Sequence, residues 1–325
     1  MPTAHTWRRF LRTGGLFALP LAIALAGIEV RLGTIPNAFN RKLELLDEQR
    51  STIEVMVLGS SHEYAGVNTD RLIQPAFNLA MPSQSLSQSA ELGLKYLPAS
   101  RSARLPLPRL RAVLMGIGYY SLPYRMSGSP EPRLGFYMRT YRVFADSTLR
   151  DRVNPSRYLY SAIYGWGAVQ SLLRGPTAVD FSGHMSRTGY DPVGLPALPP
   201  DAGPTYFAAS AAARASYHHR LASAANIPAN LALMRRLARQ CQVAGVRLVL
   251  FTSPVTRNYA DQFGEATWRQ YRAVIEQFAR EIDVPYTDYS QDPAFEWRDF
   301  GDADHLNSVG AEKFAKILSD RIAKP

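Results

Sequence analysis

Apolar and polar positions along the chain sort into three kinds of stretch. The first is one apolar run near the N-terminus, Leu16–Val30, whose only charge is Glu29 and which follows Arg8, Arg9 and Arg12. The second kind is short, rich in β-branched residues and bounded by glycine or turn residues: 53–58, 76–79, 112–117, 246–251 and 284–287. Apolar runs of that length without alternation predict strands buried on both faces. The third kind shows helical spacing. It marks helices over 84–97, with Leu86, Ala90, Leu92 and Leu94 on one side, over 230–244, with Leu231, Met234, Ala238 and Cys241, and over 268–282. Gly245 suits the position after the second of these. A last helix, which Ser308 can cap and for which Asn307 is a loop or cap residue, carries Val309, Phe314, Ile317, Leu318 and Ile322 on its apolar face.

Strands alternating with helices predict an α/β fold: three layers, helix–sheet–helix, with a mostly parallel sheet of the flavodoxin-like kind. Ligands in such sheets sit at the carboxyl ends of the strands. Ser61, the stretch 116–120, Thr252 and the loop 302–305 would all reach that edge. Between Leu122 and about Ser216 the alternation stops, and Pro, Gly, Arg and Tyr dominate, among them Tyr137, Tyr141, Tyr158, Tyr160, Tyr164 and Trp166. Residues 175–212 carry turn signals and little periodicity. We read about 122–216 as one irregular insertion over the strand ends, a lid or substrate platform. The organisation is then an N-terminal segment (1–32), a linker (33–52) and an α/β domain (53–325) that contains the insertion.

Composition changes this picture little. With 46% apolar and 20% charged residues in 325, a packed core is expected. The net charge of +10 is spread along the chain. No basic run interleaved with aromatics appears, so nucleic acid is not an expected partner. An acidic polysaccharide or an anionic membrane surface fits the charge. Cys241 is the only cysteine, which rules out an internal disulfide and reads as a core thiol. The N-terminal run is a targeting or anchoring segment. Arginines before it favour an N-inside orientation with the rest of the chain outside the cytoplasm. An uncleaved membrane helix is favoured, and cleavage near Ala24-Leu25-Ala26 is the alternative.

The chemistry-bearing residues cluster at two places. Gly59-Ser60-Ser61-His62 closes the first strand, and Asp302-Ala-Asp-His305-Leu-Asn307 precedes the last helix. Asp-x-x-His lets a carboxylate hold an imidazole in one tautomer, and a serine at a strand end is the nucleophile such a base activates. Ser60 as nucleophile, Asp304 as orienting acid and His62 as base are the competing assignments. His184, His218 and His219 lack metal-ligand spacing and read as surface or lid histidines. Gly59 and Gly66 do not form a phosphate loop, a dinucleotide fingerprint is absent, and neither metal nor organic cofactor is expected.

These two blocks resemble those of the SGNH (GDSL-like) hydrolase superfamily. The likeness is nearest to its membrane-associated bacterial branches, the teichoic-acid D-alanyl-transfer and the alginate and cellulose O-acetylation proteins. The resemblance implies Ser61 as nucleophile, His305 as base and Asp302 as its orienter, with backbone amides of Ser61 and Ser83 as oxyanion donors. Asn78, Tyr119 and Tyr120 are substrate-binding candidates. Two departures stand out: Asn78-Leu-Ala80-Met-Pro-Ser83 replaces the family's Asn-x-Gly-x-x-Gly, and Gly116-Ile-Gly118-Tyr119 lacks the family's third-block asparagine. By resemblance the protein is a serine esterase or O-acyltransferase of a cell-envelope glycan or exopolysaccharide. It would sit in a bacterial inner membrane by one N-terminal pass, with its catalytic domain in the periplasm or outside the cell, beside a membrane-bound acyltransferase. The rival reading is a catalytically impaired glycan-binding or scaffold protein on the same fold.

Overall fold

A computed structural model describes residues 4–98, 104–126, 133–165, 167–170, 184–192, 198–199 and 202–323. Trp166 and most of 175–201 lie outside them. Two N-terminal helices, α1 (Ala4–Gly33) and α2 (Ala38–Gln49), precede the sheet. No single helix among the described residues is long and apolar enough to cross a membrane, although α1 from Ala18 and α2 pass that test together, bent by 57°. Within the linker stretch 33–52, residues 38–49 are a helix packed on the domain. In α2, Ala38, Phe39, Leu45 and Leu46 enter the core. Its Lys42, fully buried, donates to the carbonyls of Asn78 and Ala80 at 2.7 Å each. Burial holds the Lys42 pKa well below the usual lysine range, against the opposing charge of Asp191.

The sheet has five parallel strands in the order β2-β1-β3-β4-β5: β1 Val55–Leu58, β2 Ala76–Asn78, β3 Ala112–Gly116, β4 Arg247–Thr252 and β5 Tyr286–Asp288. Successive side chains alternate between two cores, as the pleat requires. Met56, Leu58, Val113, Met115, Leu248 and Leu250 face one, and Val55, Val57, Leu114, Val249 and Phe251 face the other. Between β1 and β2 comes the short α3 (Ser61–Gly66), and α4 (Leu86–Leu94) follows β2. The later helices are α5 (Ala208–Leu221), α6 (Ile227–Ala244), α7 (Glu265–Glu281) and α8 (Ser308–Ala323). Helices α4, α6 and α7 cover the first face; α5 and α8 cover the second.

Several boundaries differ from those the pattern suggested. β5 starts two residues late, because the Val284 amide is held by Ala279 of the preceding helix. Asn307, not Ser308, caps α8, its side-chain oxygen accepting from Val309 and Gly310 at 3.0 Å. Val309 is 63% exposed and not on the apolar face. The insertion is pinned at its feet by an antiparallel bridge between Tyr124 and Ala222, and Asn230 donates to the carbonyls of Leu122 and Tyr124. α5 runs through the boundary drawn at 216. Tyr137 and Tyr141 are buried against Phe39 of α2 rather than displayed to a ligand.

Candidate active site

The turn after β1 is built around a buried carboxyl. Gly59 sits at φ +156, and a Cβ there or at Gly116 would overlap Glu63, so two glycines make its room. Glu63 Oε2 accepts from the Ser60 amide at 2.7 Å and from its hydroxyl at 3.2 Å, while Oε1 accepts from Ser253 Oγ at 2.7 Å. Burial raises the Glu63 pKa, and these hydrogen bonds only partly offset it. Ser60 is the N-cap of α3 in a capping box with Glu63. Its hydroxyl also makes a short contact with Tyr120 Oη. Ser60 is therefore committed to holding the turn, and Ser61, the first helical residue, faces the cavity.

Ser61 Oγ lies 2.8 Å from His305 Nε2. On the other side of the ring, Nδ1 lies 2.9 and 3.0 Å from the two oxygens of Asp302. Asp302 Oδ1 also accepts the backbone amides of Asp304 and His305 at 2.9 and 2.8 Å. With Nδ1–H given to Asp302, Nε2 is left as the acceptor facing the Ser61 hydroxyl. Asn307 steadies this loop from behind by donating to Arg298 and Phe300 carbonyls. Two elements more than two hundred residues apart in sequence thus meet because both lie at the carboxyl edge of the sheet.

Asp304, the competing acid, is 3.5 Å from His305 Nδ1. Its carboxylate is fully buried and held by Arg214 of α5 through two bonds of 2.8 Å. Burial opposes that charge, but His305 and Arg214 outweigh it and bring the Asp304 pKa down to about 2. For His305, burial also opposes the charged form, yet Asp304 and Asp302 prevail and its pKa is raised. His62 stacks between Tyr120 and His305, with ring centroids 4.5 and 4.8 Å away. It does not reach Ser61 as a base. Burial, then the charge of His305, keeps its pKa well below the usual histidine value. His218, read from sequence as a surface or lid histidine, is also buried and pushed down to about 4 by that burial. His62, Asp304 and His305 bring potential metal-ligand atoms within 4.8 Å of one another. Arg214 occupies both oxygens of Asp304, and both nitrogens of His305 are engaged. His62 Nε2 has no hydrogen bond and lies 3.5 Å from Asp304 Oδ2; one imidazole beside a carboxylate already held by Arg214 does not make a metal site.

Ser61, Asp302 and His305 open onto a cavity of about 450 Å³. Ser83 lines it at φ +61, the left-handed region, on the position where the family pattern has glycine. Tyr120 lines it as well. Asn78 does not: it is fully buried, donates to the carbonyls of Glu63 and Val67, and accepts from the Ala80 amide. It ties β2 to α3 and has nothing left for a substrate. Tyr119 likewise points away, into the second core, where its hydroxyl donates to Asp288 at 2.6 Å. Sequence reading missed the cavity wall from the insertion: Arg133, which donates to Ser83 Oγ at 3.0 Å, and Arg214, Tyr217 and His218 of α5. Arg214 and His218 stand four apart, one turn of a helix, and that spacing was the signal available.

A scan against protein-family models and a search of curated proteins find no match. Among solved structures, the chain is similar to a putative acylhydrolase from Bacteroides fragilis NCTC 9343. The TM-score is 0.39 and the identity 9%, over 87% of this chain and 97% of that one. A likeness this distant carries no argument for the chemistry, which stands on the geometry above.

Proposed function

We propose that the protein is an SGNH-type serine ester hydrolase or O-acyltransferase. The observation that carries this reading is the unbroken line Ser61 Oγ–His305–Asp302, at 2.8 and 2.9 Å, facing a cavity. The Ser61 proton passes to His305 Nε2 as Oγ attacks the ester carbonyl. Asp302 holds the imidazolium that results. Collapse of the tetrahedral intermediate expels the alcohol, which takes the proton from His305 and leaves an acyl group on Ser61. Water or an acceptor hydroxyl then gives its proton to His305 as it attacks the acyl carbonyl, and collapse transfers the acyl group to it while Ser61 Oγ takes that proton back from His305.

Backbone amides at Ser61 and Ser83 are the oxyanion donors in this scheme. The Ser61 amide lies in the first turn of α3, where no intrahelical acceptor exists. Two amides without an asparagine side chain give weaker stabilisation, since one such donor is worth on the order of 10²–10³ in rate. The acyl acceptor or substrate is a cell-envelope glycan or exopolysaccharide, and α1 holds the domain at the membrane on its extracytoplasmic side. Both points follow from the family resemblance and from the basic N-terminal pattern. A fluorophosphonate probe tests the core of the proposal: it should label the wild-type chain and lose labelling on Ser61→Ala. Equal labelling of both would sink it, and labelling lost on Ser60→Ala alone would move the nucleophile.

A further inference from the structure

The insertion carries a second exposed apolar feature beside α1. In the helix Leu149–Val153, Leu149 is 79% and Val153 70% exposed, one turn apart, and Leu159 follows at 41%. Arg142, Arg150 and Arg152 are exposed around them. From 133 to 164 the sequence holds six arginines against two aspartates, and both aspartates are paired, Asp146 with Arg125 and Asp151 with Arg157.

This patch is joined to α1 by specific contacts. Glu29 of α1 accepts the amides of Tyr160 and Ser161 at 2.6 and 2.9 Å, capping the helix Tyr160–Tyr164. Gly33 packs against the Tyr160 ring so closely that a Cβ would collide with it. Arg157 and Tyr158 then tether the Leu149–Val153 helix to that turn, through Asp151 and the Arg152 carbonyl. Just before the docked end, α1 exposes Leu16, Leu19, Leu21, Ile23, Leu25 and Val30, each more than half exposed.

At the rise of a helix, Leu16–Val30 extends only about 22 Å, against the roughly 30 Å of a bilayer's hydrocarbon core. A segment that short gives weak attachment, and stable attachment takes a second signal, such as apolar side chains with basic neighbours facing anionic headgroups. We propose that the Leu149–Val153 helix and its arginines form that second signal. This face of the insertion lies on an anionic lipid surface next to α1 and fixes the orientation of the domain on it. The lipid is chosen over a protein partner because the patch is tethered to the turn that α1 caps, and the exposed charges around it, Arg142, Arg150 and Arg152, are all basic. The inference does not depend on the ester chemistry.

Cys241 is buried, so an introduced surface cysteine can be labelled selectively. An environment-sensitive fluorophore is placed on the full chain at Leu149→Cys or, as the control, at Val309→Cys. Val309 is exposed on α8, which packs on the opposite side of the sheet from Leu134, Met138 and Ile163, the buried residues nearest the patch in sequence. With vesicles containing phosphatidylglycerol, the Leu149 probe should shift to the blue and be quenched by bromolipids, while the Val309 probe stays as in water. Replacing the anionic lipid with phosphatidylcholine should weaken the shift. A Leu149 probe no more quenched than the Val309 probe, or both quenched alike, would overturn the proposal. Turnover of an ester substrate reads the catalytic proposal separately, so the two can fail independently.

Discussion

The sheet and the insertion solve different problems in this molecule. Strands β1 to β4 are short runs of apolar residues buried on both faces, and the residues that meet at their carboxyl ends are polar, few and close to turns. The insertion has no such regularity, yet it supplies Tyr124, Arg133 and Arg214 to the cavity wall and, in Arg214, the guanidinium that pairs with Asp304. The sheet places the groups proposed to react, whereas the insertion sets their electrostatic surroundings and closes the space around them. Chemistry of this kind can be anticipated from local pattern; its tuning comes from side chains distant in sequence.

Substitutions on either side of that division test it, beginning with the largest effect. Ser61→Ala and His305→Ala should each lower kcat for p-nitrophenyl acetate by at least about 10³-fold with the circular dichroism spectrum unchanged. Retained turnover in both would dissolve the proposed role of the sheet edge. Arg214→Met leaves the Asp304 charge buried without its partner. Unfolding by denaturant should show a loss of about 3 kcal/mol, the low end for a broken buried pair because Arg214 itself is one-third exposed. The acid limb of kcat/KM should also move to higher pH, since removing the guanidinium favours protonated His305. A stability loss without that shift would confine Arg214 to a structural role. Gly116→Ala pushes a methyl into Glu63 and should cost about 1–3 kcal/mol, read as a fall in Tm.

Acidity separates the histidines by sign. His62 and His218 have folded pKa values below the unfolded one, so their contribution is present above about 6.5 and lost as pH falls, for His218 towards about 4. His305 is raised, so its contribution is present below the unfolded value and lost as pH rises through the folded one. Thermal melts should therefore show the wild type losing stability between pH 6.5 and 4, with His218→Gln flattening that loss. An equally steep loss in the variant would mean His218 is not a source of it. Tyr119→Phe is the mildest change. Losing the bond to Asp288 should cost about 1 kcal/mol, while KM stays within error of wild type. A marked rise in KM would put Tyr119 back in the substrate site.

Much of the framework was legible in the chain because its signals are local. Short apolar runs bounded by glycine or turn residues marked all five strands, and the three-and-four spacing around Met234 and Phe314 marked α6 and α8. Ser61, Asp302 and His305 stood out because nucleophile-after-strand and Asp-x-x-His are short-range arrangements whose chemistry depends on spacing. That Ser60 caps α3 in a box with Glu63 needed the coordinates.

Pattern alone therefore marked the five strands, the helices α4, α6, α7 and α8, and the short motifs that hold the proposed reactive groups, since backbone periodicity and motif spacing span only a few residues. Tertiary structure alone decided that Asn78 and Tyr119 turn inward, that Lys42 braces the loop after β2, and that Arg214 neutralises Asp304. These depend on which surfaces come together across the fold, and burial makes each a matter of satisfied partners rather than residue type.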